Sequence, residues 1–380
     1  MSPKNKYISQ STSMWQKAAT WMMHISRILL AIVFIFSGFV KVIDPLGLTY
    51  KIEDYFTAFG GFFSNLTFLA LPGGIILPVI ELVIGLNLLF MIHLRYTSFA
   101  ALLFMLIMTP LTLYIAIYNP VTDCGCFGDA LVISNWQTFY KNIVFLVLSI
   151  VLIITIRGKN PVLLPHIEWM VLSAFTIVGV GLSVYCLNHL PLIDFRPYKI
   201  GVNIPDAMII PEDAAKEKST VTFIYEKDGL QKEFTLENYP KGDSTWKFID
   251  QKTTVISKGY EAPIHNFTMV NSSFEDITED VIYYAGSTYL LIMYDLNKTS
   301  EKGAKKAQEI YEKYKNTTVR FYALTASSDD QIAAFKEKTG VSYPFCKTDP
   351  ITLKTIIRSN PGLVLIKKGT VQKKWHWKDF

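Results

Sequence analysis

Cys124 and Cys126 stand one residue apart in the stretch Asp123-Cys124-Gly125-Cys126-Phe127-Gly128-Asp129, and they are two of only 4 cysteines in 380 residues. Two thiols at this spacing can form a bridge or exchange one. Extended chain would let their Cα atoms sit up to about 7 Å apart, whereas a disulfide prefers about 5.5–6 Å. The pair therefore needs a tight turn, and Gly125 makes one accessible because glycine tolerates positive φ. A strained bridge of this kind is the labile sort that takes part in exchange. The flanking acids Asp123 and Asp129 argue against a strongly activated thiolate. The competing readings are a structural bridge or an idle pair in a turn. No metal site is expected, because soft thiolate sites recruit more than two such ligands.

The elements that position this pair are apolar. Five stretches, near 21–43, 67–92, 97–118, 138–156 and 167–187, are long enough to cross a bilayer, which takes roughly 20 helical residues. Helices are expected because each span must satisfy its own backbone polar groups. The first stretch is longer than the apolar core of a signal peptide and ends in no small-residue cleavage site, so it is read as retained. Residues 1–190 are mostly apolar and 191–380 have the composition of a soluble domain. The predicted fold class is an α-helical membrane bundle of about five transmembrane helices followed by a soluble α/β domain.

Charge sets the expected orientation. Lys4, Lys6, Lys17 and Arg27 precede the first acid, Asp44. The 92–97 connection has His93 and Arg95, the 157–166 connection has Arg157 and Lys159, and the loop with the cysteine pair has no Lys or Arg. The positive-inside rule puts the N-terminus in the cytoplasm and, after an odd number of spans, the soluble half outside. The thiol pair then lies on the outer, oxidising side, as does Cys186 at the end of the fifth span. Glu81 is the one clear acid within the spans. An ionisable group there faces the bundle interior or a wet cavity, as helix–helix glue or as a proton-transfer group serving the thiols. Pro72, Gly73, Gly74 and Pro78 make its helix start late and bend. The net charge of +5 is scattered, which gives nucleic-acid binding no support. The lipid bilayer is the first expected partner. A quinone is compatible with the chain, but nothing in it names a cofactor.

The run Cys-Gly-Cys-Phe-Gly, the segment "SGFVKVIDP" at 37–45 and the segment "LPVIELVIGLNLL" resemble the DoxX-like, methylamine-utilisation MauE group of bacterial membrane proteins, over about residues 20–155. The resemblance implies a four-helix membrane fold and a redox association for Cys124 and Cys126. MauE members are implied to help mature a disulfide-rich periplasmic dehydrogenase subunit, and that substrate is not carried over.

In the soluble half, 198–258 reads as a small β segment with a hairpin turning at Lys227-Asp228-Gly229. From about 260 the order is strand, helix, strand, helix, strand, strand. The first of these helices is capped at Ser300 or Thr299, and the last hairpin turns at Lys368-Gly369. This order resembles the thioredoxin fold, in particular its TlpA-like branch, which implies a cis peptide at Pro361. The same resemblance implies a Cys-x-x-Cys within 294–303, where this chain has no cysteine. Cys346 is alone, and a lone cysteine mostly packs. The expected domains are a membrane bundle over 1–190, a β linker over 191–258 and a degenerate thioredoxin-like domain over 259–380.

Two functions compete. One is a thiol–disulfide or electron relay at the periplasmic face of a bacterial inner membrane, with Cys124 and Cys126 exchanging, Cys186 resolving and Glu81 handling protons. The other is a non-enzymatic envelope scaffold whose soluble domain binds a periplasmic or membrane protein. The soluble domain alone is expected to be inactive.

Overall fold

The computed structural model describes residues 14–121, 123–156, 163–215, 218–227, 230–235, 238, 240, 245–257 and 259–380. Lys4, Lys6, Arg157, Lys159 and the Asp228-Gly229 turn lie outside the described residues.

The first half is helical, with α1 (Met14–Ile43), α2 (Pro45–Phe59), α3 (Ala70–Phe90), α4 (Leu94–Tyr118), α5 (Asn135–Thr155) and α6 (Pro165–Asn188). Among the described residues five stretches are long and apolar enough to cross a membrane: Lys17–Ile43, Phe63–Phe90, Leu94–Tyr118, Asn135–Thr155 and Pro165–Asn188. The third helix does not start late as expected: a 3-10 turn over Phe63–Leu69 leads straight into it, so that Pro72 falls in its first turn, where no intrahelical amide bond is lost, and Pro78 sits in its interior. The short helix α2 departs from expectation, since 44–66 reads as a loop. Lys51, Glu53 and Asp54 interrupt its apolar run. Its start is nonetheless well signalled, with Asp44 as N-cap accepting from the Gly47 amide at 3.0 Å and Pro45 in the first turn.

The two helices that hold the site cross closely. A Cβ on Gly38 of α1 would lie 2.4 Å from the Leu82 backbone nitrogen of α3, and one on Gly85 of α3 would lie 2.6 Å from the Ile35 nitrogen. Small residues let backbones approach in this way where lipid offers no hydrophobic drive for association.

The second half begins with α7 (Ile204–Met208). A three-stranded antiparallel sheet follows, made of β1 (Lys218–Lys227), β2 (Leu230–Thr235) and β3 (Lys247–Ser257) in the order β2-β1-β3. Then come α8 (Thr278–Ile282), β4 (Ser287–Ile292), α9 (Glu301–Tyr314), β5 (Arg320–Thr325), α10 (Asp329–Thr339), β6 (Phe345–Lys347), α11 (Pro350–Ile356), β7 (Gly362–Lys367) and β8 (Thr370–His376). The five strands order as β6-β5-β4-β7-β8. Strands β4, β5 and β6 run parallel, and β7 and β8 are antiparallel. A parallel set joined by crossover helices and closed by an antiparallel pair is the thioredoxin-like arrangement. The Asn360–Pro361 peptide is cis, Ser300 caps α9, and the last hairpin turns at Lys368 and Gly369, both with positive φ. The short strand β6, which carries Cys346, was not expected. Three residues make too short a run to show period-2 alternation. Successive residues of β4 face opposite cores, with Leu290 and Ile292 in one cluster and Leu291 in the other, so both sheet faces are covered.

Candidate functional site

The loop between α4 and α5 places the thiols at the end of the bundle that faces the soluble domain. Asp123 shapes the turn, its Oδ1 accepting from the Gly125 amide at 2.9 Å. Gly125 has φ 66° and Gly128 φ 52°, which side chains rarely adopt. The Tyr55 hydroxyl of α2 donates to the Cys124 carbonyl at 2.9 Å. The result is a pair of free thiols whose sulfurs stand 3.1 Å apart. Cys124 is buried and Cys126 half-buried.

Beneath Cys126 the bundle is polar. Lys41 Nζ donates to Glu81 Oε1 at 2.7 Å, and both residues are buried. The Ser37 hydroxyl lies 2.9 Å from Glu81 Oε2 and 2.8 Å from the Cys126 carbonyl, so it links the carboxylate to the loop. Ser37, Lys41, Glu81, Cys126 and Lys141 all line one cavity of about 30 Å³, roughly the room one water occupies. Ser37 and Lys41 flank Gly38, whose missing side chain brings α1 close enough for the contact.

The two thiols differ in acidity. The contact between the two sulfurs, in which either could donate, is the largest influence on both. It raises Cys124 far above the usual thiol range, with burial adding to the effect. It lowers Cys126, where burial opposes and the Lys141 and Lys41 charges assist, so the Cys126 thiol is held down at about 6. A low-pKa thiolate beside a protonated partner is how exchanging pairs are poised. The expectation that Asp123 and Asp129 would suppress ionisation is corrected here. Each acid is paired, Asp123 Oδ2 with Lys51 Nζ at 2.7 Å and Asp129 Oδ2 with Arg358 Nη2 at 2.9 Å.

Arg358 joins the two halves of the chain. It lies between α11 and the cis proline, and its Nε also reaches both carboxylate oxygens of Asp44 at 3.0 Å. Burial works against an ionised Asp44, yet Arg358 and Arg196 hold its carboxyl below the usual range. Burial raises the Asp129 carboxyl, with Arg358 opposing. Nearby, Tyr50 of α2 packs edge-on against Tyr294, ring centroids 6.1 Å apart. The start of the 294–303 segment, where the thioredoxin resemblance implies a dithiol, thus borders α2 across a cavity of about 490 Å³.

The structure brings Cys124, Cys126 and Glu81 together. It places Cys186 apart, buried on α6 and outside the walls of the 30 Å³ cavity. Cys346 is buried in the soluble domain, and burial pushes its thiol up to about 11. Lys41, Ser37, Lys141, Asp44 and Arg358 were not picked out as site residues. Ser37, Lys41 and Asp44 all fall in "SGFVKVIDP", where a serine and a lysine four apart share one helix face.

The thiol loop falls within a stretch of sequence that matches a family model. Residues 19–155 match the family model described as Methylamine utilisation protein MauE. This span runs from within α1 to the end of α5 and includes the whole thiol loop. Residues 219–258 match a domain of unknown function, DUF8463, which coincides with the three-stranded sheet. A solution structure from Bacteroides thetaiotaomicron, described as a candidate protein disulfide isomerase, is 18% identical and has a TM-score of 0.25. That match covers 30% of this chain and 76% of the other. No curated protein matches the chain.

Proposed function

We propose that the protein is a membrane-embedded thiol–disulfide relay, with Cys126 as the attacking thiolate and Cys124 as the resolving thiol. One observation carries the reading: two free sulfurs 3.1 Å apart, with the Cys126 thiol near 6, above the Lys41–Glu81 pair. In the reaction the Cys126 thiolate attacks one sulfur of a partner disulfide and expels the other as a thiolate. Cys124 then displaces the mixed disulfide. The pair loses two electrons and its protons, and the partner disulfide becomes two thiols. Glu81 serves as the acceptor for the proton released from Cys124, relayed by Ser37 and the water-sized cavity, while Lys41 balances the carboxylate's charge. A resolving role for Cys186 requires the loop to travel to α6.

The reading includes an orientation with the N-terminus cytoplasmic and the soluble half periplasmic, supported by the Lys and Arg bias of the loops. It also treats 1–190, 191–258 and 259–380 as bundle, linker and thioredoxin-like domain. The MauE match supports a redox association by resemblance only. The alternative is an envelope scaffold that binds a periplasmic or membrane protein, and it draws on the missing dithiol at 294–303.

The deciding experiment is a non-reducing gel of Cys124→Ser protein from intact cells. A species that shifts on reduction shows Cys126 holding a partner. Its loss on adding Cys186→Ser or Cys346→Ser identifies an internal partner, and its survival points to another protein. Absence of any shifted species under oxidising conditions would sink the relay and leave the scaffold. A periplasm-dependent reporter fused after Phe380 should be active, and one fused near residue 95 silent.

A further inference from the structure

At the opposite end of α4 from the thiol loop, a groove of about 760 Å³ opens between α3, α4 and α6. Its walls are mostly apolar, with Ile80 and Val83 among them, but its inner end is not. Asn87, His93 and Glu168 line it. Asn87 is 4% exposed and Glu168 3%, so Glu168, in the first turn of α6, is a second buried acid within the candidate spans besides Glu81, where the sequence pointed to one. His93 Nδ1 stands 2.9 Å from Glu168 Oε2, and Trp169 packs on the His93 ring with centroids 4.8 Å apart. Three buried polar atoms of these residues have no hydrogen-bond partner: Asn87 Oδ1, Glu168 Oε1 and His93 Nε2. They lie just beneath the groove wall. Leaving such buried groups unsatisfied is costly, and together they mark a place where a ligand completes the set.

The chemistry of the orphans selects the ligand. Two are acceptors, and the third is an imidazole nitrogen whose ring already faces a carboxylate. A matching ligand must bring hydrogen-bond donors, a flat surface for Trp169 and apolar bulk for the groove. A phospholipid meets these needs poorly, because its phosphate is acceptor-rich and, among the described residues, no Lys or Arg lines the groove to take it. A ring bearing hydroxyl groups on an apolar body meets all three. We infer that Asn87, His93 and Glu168 form the head-group site for a lipid-soluble hydroquinone that enters from the bilayer between α4 and α6. The site is independent of the thiol relay. Helix α4 has 25 residues, so about 37 Å of helix separates the two ends, and no electron step between them is implied.

The test uses the full chain in phosphatidylcholine nanodiscs, titrated calorimetrically with a short-chain ubiquinol and separately with its oxidised quinone. Saturable binding of one ubiquinol per chain is expected, with the quinone weaker because its carbonyls only accept. Asn87→Leu and Glu168→Gln should each weaken ubiquinol binding roughly tenfold or more, the loss of one hydrogen bond to a buried polar or charged group. Ile80→Trp fills the groove without touching the polar end and should also weaken binding, which separates occlusion from misfolding. Equal affinity for both redox forms, or unchanged affinity in all three variants, overturns the assignment. So does a phosphatidylethanolamine that native mass spectrometry finds retained and that ubiquinol cannot displace.

Discussion

Arg358 Nη2 lies 2.9 Å from Asp129 Oδ2, although the two residues are 229 positions apart in the chain. One is in the soluble domain and the other ends the thiol loop, so the soluble domain holds the loop directly. The same guanidinium clamps Asp44 at the end of α1. A buried cation shared by two carboxylates costs far more to break than to keep.

Replacing Arg358 with Leu should therefore loosen the junction. The expected loss is about 2–4 kcal/mol, discounted because Asp129 is partly exposed. It is read as a lower midpoint of thermal unfolding in detergent together with faster alkylation of Cys124. Arg358→Lys should recover only part of the loss, because an ammonium cannot span both acids as the planar fork does. Unchanged alkylation in the Leu variant would show that the clamp does not shield the pair.

Gly38→Val should disturb the site without touching a polar group. The new side chain meets the Leu82 backbone at 2.4 Å, so α1 and α3 must separate. Lys41 then parts from Glu81. The expected cost is about 1–3 kcal/mol, with the alkylation midpoint of Cys126 rising from about 6 as the Lys41 charge withdraws. The pH dependence of iodoacetamide labelling checks it.

Acid should weaken the soluble domain through His376. Burial holds this imidazole down at about 4, with Lys378 and His189 adding to the effect and Asp379 opposing it. Between pH 4 and 6.5 the unfolded chain binds the proton and the folded chain does not. Stability is thus complete above pH 6.5 and falls as pH drops toward 4, by up to ~3 kcal/mol. Denaturant midpoints across this range should flatten in His376→Gln.

Cys346 should stay silent. Its thiol is buried and held near 11, so maleimide should label it at neutral pH only after denaturation. Purified residues 191–380 should show no dithiol reductase activity. Turnover by that fragment would contradict both the buried thiol and the bare 294–303 segment.

Much of the scaffold was legible in order along the chain. The spans announce themselves because each is one uninterrupted apolar run, and the thioredoxin-like order because its strands and helices alternate with clear caps such as Ser300. The thiols were visible from spacing alone. Their electrostatics were not. Lys41 sits at the end of an apolar run, where a lysine reads as a flank, and only the Gly38 crossing sets it over Glu81. Asp129 looked like a hindrance because its neutralising partner lies in another domain. Helix α2 stayed hidden because its charges fall at a membrane surface, where neither the apolar run nor a soluble helix pattern is complete.

The long separation between Asp129 and Arg358 also has a history in time. Ribosomes add about 5–20 residues each second and domains fold as they emerge. The thiol loop is therefore made roughly 10–45 s before the arginine that pairs with Asp129. During that interval the thiol loop stands without the Arg358 contact to Asp129. Until Arg358 is made, Asp44 and Asp129 are two neighbouring acids without the cation they come to share.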